Sequence, residues 1–180
     1  ASGMPFVQTG DLSAIAAPLD FLGANYYTRA ILRDDSAAEN LPPTREAAPV
    51  DERTEMDWEV YPEGLYNLLN RLHFEYQAPK LYITENGASY SDGPDERGMI
   101  EDARRIRYVR EHLAAAHRAL QNGVPLAGYF YWSLLDNFEW AKGYTQRFGL
   151  VWVDYDTQAR LPKASAHWYA NVIRHNGLTG

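Results

Sequence analysis

Three short β-rich segments, each ending in a cluster of polar and aromatic residues, constrain this chain more than any other feature. They are residues 19–27 (LDFLGANYY), 80–84 (KLYIT) and 126–133 (LAGYFYWS). Short, largely apolar runs of this kind suit strands covered on both faces. The stretches between them carry helical spacing. Leu65, Leu68, Leu69 and Leu72 follow Pro62 on one face, and proline favours a first helical position. Ile106, Val109, Leu113, Ala116 and Leu120 mark a second stripe within 101–122, with Gly123 as its stop. A third helix is expected from about Pro162 to Arg174, and residues 148–155 read as an extended segment or hairpin arm. Strand alternating with helix requires crossover connections and hence a parallel α/β sheet. Three strands are few for such a domain, and a complete (β/α)8 barrel takes roughly 250 residues. A chain of 180 residues would supply part of one. Two long connections, 33–57 and 91–98, follow strands and would lie over their C-terminal ends, where α/β proteins bind ligands.

The composition narrows the function classes. A net charge of −7 argues against nucleic acid or an anionic membrane as partner, since either calls for clustered cations. There is no cysteine, so disulfides, thiolate metal sites and cysteine nucleophiles are excluded. No run approaches the ~20 apolar residues of a membrane span, and residues 1–4 show no secretory signal. A cytoplasmic location is the expectation. His112 and His117 are five apart, off a shared helix face, and the other histidines are scattered, so no metal is expected. Without a glycine-rich phosphate loop, no nucleotide cofactor is expected either. Thirteen Tyr, six Phe and five Trp suit sugar stacking or a tight core alike.

The strand ends hold the candidate chemistry: Asn25-Tyr26-Tyr27, Thr84-Glu85-Asn86-Gly87, and Trp132 through Trp140 with Glu139. A carboxylate at the mouth of a parallel strand is where a barrel enzyme places a catalytic group. Taken alone, a strand-end Glu is more often a loop salt bridge or helix partner.

Together the segments are far more specific. PLDFLGANYYTRA, DWEVYPEGLYNLL, LYITENGASY and the stretch from GYFYWSLLDNFEW to SAHWY resemble, in order and spacing, the last three strands of family 1 glycoside hydrolases. The resemblance implies an α/β fold, the C-terminal part (about strands 6 to 8) of a (β/α)8 TIM barrel. Residues 1–180 would form one partial barrel domain. It implies retaining β-glycosidase chemistry on terminal non-reducing β-D-glycosyl residues. Glu85 matches the catalytic nucleophile, and Tyr27 the hydroxyl that hydrogen-bonds it. Glu139 and Trp140 match the pair that holds sugar hydroxyls, Trp132 the platform under the ring, and Phe148 the wall near the exocyclic carbon. Trp58 resembles an aromatic at the aglycone entrance, with packing an equal alternative. Asn25 lines the same mouth, or caps strand-end backbone. Glu139 would repel a phosphate, and Thr145-Gln146-Arg147-Phe148 lacks the Lys and Tyr of phosphosugar members, so a neutral β-glycoside is implied.

A retaining site also needs a general acid/base about 5–5.5 Å from the nucleophile. In the family this is the Glu of N-E-P, and no such tripeptide occurs in these 180 residues. The expected partner is therefore the N-terminal part of the barrel, as a separate chain or cleaved segment, or else another copy of this chain. The alternative is a non-catalytic half-barrel that binds ligand weakly or associates with itself.

Overall fold

The computed structural model describes residues 6–33, 44–46 and 52–178. In chain order the elements are α1 (Asp11–Ile15), β1 (Leu22–Asn25), β2 (Ile31–Arg33), β3 (Thr44–Glu46), α2 (Pro62–Phe74), β4 (Leu81–Asn86), α3 (Ala103–Gln121), β5 (Leu126–Tyr131), a 3-10 turn (Trp140–Lys142), β6 (Val151–Val153), β7 (Arg160–Pro162) and α4 (Ala164–His175). The expected parallel sheet forms from β1, β4 and β5, in that order. Helix α2 crosses from β1 toward β4, and α3 from β4 to β5, as parallel pairing requires.

The sheet's outer face carries the core. Leu81 and Ile83 of β4 pack with Leu65 and Leu69 of α2, Ala116 and Ala119 of α3, and Tyr26 and Val124. The inner face is paved differently. Tyr82 meets Phe21 edge-on at 5.3 Å and lies 6.5 Å from Phe130, and Phe21 and Phe130 are both exposed. Gly23 and Gly128 make this paving possible, because a Cβ at either would come within 2.8 Å of Thr84 or Tyr82. Among the described residues, β1 and β5 each leave one edge unpaired.

Three expectations need correction, and one element was not foreseen. The stripe on α3 is rotated: Arg105, Tyr108, Val109, His112, Ala115, Ala116 and Ala119 are buried, while Leu120 is exposed. Two of the inward positions are polar, so an apolar-only pattern missed the true face. The last helix starts at Ala164, because Arg160–Pro162 pairs with β6 as an antiparallel hairpin. Part of the connection 33–57 is not loop: Ile31–Arg33 and Thr44–Glu46 form a two-stranded ribbon, and residues 34–43 and 47–51 lie outside the described residues. The short helix α1 had no periodic signal to announce it.

His112 gives the fold a pH dependence. Its ring stacks on Tyr108 at 4.0 Å, its Nδ1 faces the Tyr108 carbonyl at 2.8 Å, and burial lowers its pKa to about 4. The folded state then refuses a proton that the unfolded chain accepts below 6.5. Stability present above pH 6.5 is lost as pH falls toward 4, by about 3 kcal/mol over the window. Denaturant unfolding between pH 7 and 4.5 should show this slope, and a His112→Leu variant should flatten it. Equal slopes in the two proteins would refute the assignment.

Candidate active site

Near its end, strand β4 carries one more residue than the stretch of either neighbour paired with it. Against β1 the register passes from Ala24–Ile83 to Asn25–Glu85, and against β5 from Ile83–Tyr129 to Asn86–Tyr131. The extra residue is a β-bulge, which re-aims side chains. Leu81, Ile83 and Asn86 are buried on the helix side, while Thr84 and Glu85 are not. Two consecutive residues, Thr84 and Glu85, thereby leave the buried face, and Glu85 stands at the sheet's C-terminal mouth.

There the Tyr27 hydroxyl donates to Glu85 Oε2 at 2.6 Å. Burial, then the bond to Glu85, pushes the Tyr27 hydroxyl's pKa upward, so it stays protonated as a donor. Asn86 braces the main chain behind it. Its Nδ2 donates to the Tyr26 carbonyl at 2.7 Å, and its Oδ1 accepts from Tyr129 Oη at 2.5 Å. Tyr108 Oη donates to the Tyr27 carbonyl at 3.1 Å. The carboxylate and its hydroxyl partner therefore rest on one buried network, which limits their freedom to drift.

The next residue is a contact point. Trp132 N donates to the Asn86 carbonyl at 3.0 Å, and a Cβ on Gly87 would lie 1.9 Å from the Trp132 carbonyl oxygen. A Gly87→Ala variant must push backbone apart at the mouth. It should lose about 2–4 kcal/mol of stability and most activity. Chemical denaturation and kinetics would test this, and a loss under about 0.5 kcal/mol would contradict the contact.

Aromatic rings form one wall. Tyr27, Trp58 and Phe148 lie 5.4, 6.2 and 6.1 Å apart pairwise, with Phe148 almost fully buried. Trp58 is held from behind. Arg29 grips the Glu59 carboxylate through Nε at 2.8 Å and Nη2 at 2.9 Å, and its guanidinium sits 3.7 Å over Tyr61. Thr28 Oγ1 donates to the Glu59 carbonyl at 2.9 Å.

A second carboxylate shares the mouth. Burial, then the negative charge of Glu85, raises the pKa of Glu139 above its usual range. The segment carrying Glu139 is anchored by Asp136, which is buried. Asp136 accepts from Arg147 Nη1 at 2.7 Å, Gly149 N at 2.9 Å and Lys163 Nζ at 3.1 Å. Lys163 is fully buried there, and desolvation lowers its pKa to about 8.

The structure thus gathers Glu85, Tyr27, Trp58, Phe148 and Glu139 around one mouth. Asn25 lies beside it, its Oδ1 accepting from Thr84 Oγ1 at 2.6 Å. Trp132 joins through its backbone at Asn86 and Gly87. Trp140 stands 83% exposed with a φ of 41°. Sequence reasoning gave no role to Asn86 or Asp136 within the strand-end clusters, and missed Tyr108 and Lys163. The visible signal for Asp136 was an acid set directly after the apolar Leu134-Leu135 pair.

A sequence model of glycosyl hydrolase family 1 matches residues 1–178. The chain is 47% identical to beta-glucosidase A of Thermotoga maritima, over 97% of this chain and 39% of that protein. It is also 47% identical to a 1,4-beta-D-glucan glucohydrolase of Thermotoga neapolitana, over 98% of this chain and 39% of that one. Among solved structures, a Thermotoga maritima beta-glucosidase in complex with deoxynojirimycin superposes with a TM-score of 0.89 at 47% identity. That match covers 94% of this chain and 38% of the other. The chain spans about two fifths of the length of these relatives, and its sheet corresponds to part of their (β/α)8 barrel.

Proposed function

The chain belongs to glycosyl hydrolase family 1, and on that premise we propose that it supplies the nucleophile side of a retaining β-glycosidase site. Glu85 attacks the anomeric carbon as the bond to the leaving oxygen breaks, forming a glycosyl ester. Water then hydrolyses the ester. The proton for the leaving oxygen comes from a carboxylic acid on the remaining strands of the barrel, whether those belong to the same polypeptide or another. Tyr27 holds Glu85 in line. Glu139 and Trp140 take the sugar hydroxyls, Trp132 underlies the ring, Phe148 closes the exocyclic side, Trp58 faces the aglycone and Asn25 lines the mouth. The substrate is a neutral, terminal β-D-glucoside, as the relatives' names suggest. A cytoplasmic setting belongs to the same reading, from the cysteine-free composition.

The observation that carries this reading is the 2.6 Å hydrogen bond from Tyr27 to Glu85 at the strand mouth. Incubating the completed barrel with an activated 2-deoxy-2-fluoro-β-glucoside should leave a stable label on Glu85, read by peptide mass spectrometry. A label on another residue would overturn it.

A second reading is favoured by the exposed Phe21 and Phe130 on the inner face. In it, the 180-residue chain by itself is a non-catalytic half-barrel that associates through that face. Turnover of a nitrophenyl β-glucoside by the isolated chain separates the two. Glu85-dependent hydrolysis without any further strands would exclude the second reading.

A further inference from the structure

Arg105 is a cation with no solvent exposure, on the first turn of α3. Its Nε donates to Asp102 Oδ2 at 2.8 Å, and Asp102 in turn accepts from Ser165 N at 2.8 Å and Ser165 Oγ at 2.5 Å. The rest of the guanidinium serves two loops. Toward the loop that follows Glu85, Nη1 donates to the Ala88 carbonyl and Nη2 to the Tyr90 carbonyl at 3.0 Å. Toward the wall of the site, Nη2 donates to the Arg147 carbonyl at 3.0 Å and Nη1 to the Phe148 carbonyl at 3.3 Å. Tyr131 Oη, at the end of β5, lies 3.1 Å from Nη1 and donates to the same Phe148 carbonyl at 3.0 Å.

Burying an ion pair is a poor route to stability, since well-packed apolar residues of similar volume often do as well. An apolar side chain cannot satisfy four inward-facing carbonyls from two separate loops, however. The planar fork of arginine sets their separation, which a lysine's single ammonium does not. One of those loops begins two residues after Glu85, and the other carries Phe148, the ring packed 6.2 Å from Tyr27.

We infer that Arg105 is a positioning residue: it fixes the Glu85 loop against the Phe148 wall and so sets the reach of the nucleophile to the anomeric carbon. This rests on the assignment of Glu85 as nucleophile. A displacement of about 1 Å in such an arrangement costs on the order of 100-fold in rate.

The test uses the completed barrel with Arg105→Gln and Arg105→Lys, and Tyr131→Phe as a milder change that removes one partner of the fork. The burst from a dinitrophenyl 2-deoxy-2-fluoro-β-glucoside counts functional sites, and mass spectrometry locates the label. Turnover of an ordinary aryl glucoside is then expressed per titrated site, well below each variant's Tm. Per-site kcat should fall about 10- to 100-fold in Arg105→Gln, less in Arg105→Lys and least in Tyr131→Phe, with KM within about threefold of the parent. Unchanged per-site kcat, with only burst size or Tm reduced, would show a purely structural residue and overturn the inference. A burst label on a residue other than Glu85 would instead remove the premise, and the inference with it.

Discussion

A Glu85→Gln variant of the completed barrel is expected to hydrolyse an aryl β-glucoside about 10⁴- to 10⁶-fold more slowly than the parent. Glutamine keeps the size of the side chain, and its amide oxygen can still accept from the Tyr27 hydroxyl that now sits 2.6 Å from Glu85 Oε2. The buried network of Asn86, Tyr108 and Tyr129 behind it does not touch the carboxylate and should be unaffected. What glutamine cannot do is form the glycosyl ester, so the loss falls on kcat. Removing one negative charge also lowers the pKa of Glu139, which Glu85 holds up in part; the hydrogen-bonding groups of the pocket remain, so ligand binding should change little. Steady-state kinetics with calorimetry of a glucose-like inhibitor would check both halves. A rate within tenfold of the parent would place the nucleophile elsewhere.

The largest effect on stability should come from Asp136→Asn. Lys163 is fully buried with its Nζ 3.1 Å from Asp136 Oδ1, and Arg147 is 2.7 Å from Oδ2. Losing the carboxylate strands a buried cation whose pKa desolvation already depresses to about 8. Breaking a buried pair from one side costs about 3–5 kcal/mol. Gly149 N also loses its carboxylate acceptor, which loosens the turn into the Phe148 wall. Equilibrium denaturation should show the loss, and adding Lys163→Met should recover part of it by removing the stranded charge. A single-variant loss below about 1 kcal/mol would mean that water or another anion reaches the site.

Much of the fold was legible because it is written in repeating spacings. Pro62 and the leucines after it gave the start and the inward face of α2, and the three apolar runs gave the parallel sheet. What spacing could not show was polarity turned inward. Arg105 and His112 occupy buried positions of α3 that an apolar stripe leaves out, which rotated the expected face. The site was legible through motif order rather than through any one residue. Glu85 by itself was an ordinary strand-end acid, whereas Tyr27, Trp58, Phe148 and Glu139 converge on it only once the chain folds. Trp140, read as Glu139's companion, stands exposed, carried outward by the turn after Glu139 at positive φ.

The extra residue in β4 has a consequence for how such a site can change over time. A strand has two sides, and neighbours in sequence take opposite ones by parity. Here Thr84 and Glu85 share a side, and parity resumes at Asn86, so the proposed nucleophile and the buried amide are adjacent in sequence yet serve opposite surfaces. Point substitutions leave that phase untouched. An insertion or deletion of one residue between Leu81 and Glu85 would reset it, turning the acid toward the helices and the amide toward the mouth. Whatever else a substitution costs there, it keeps the phase of the strand, and a change of length does not.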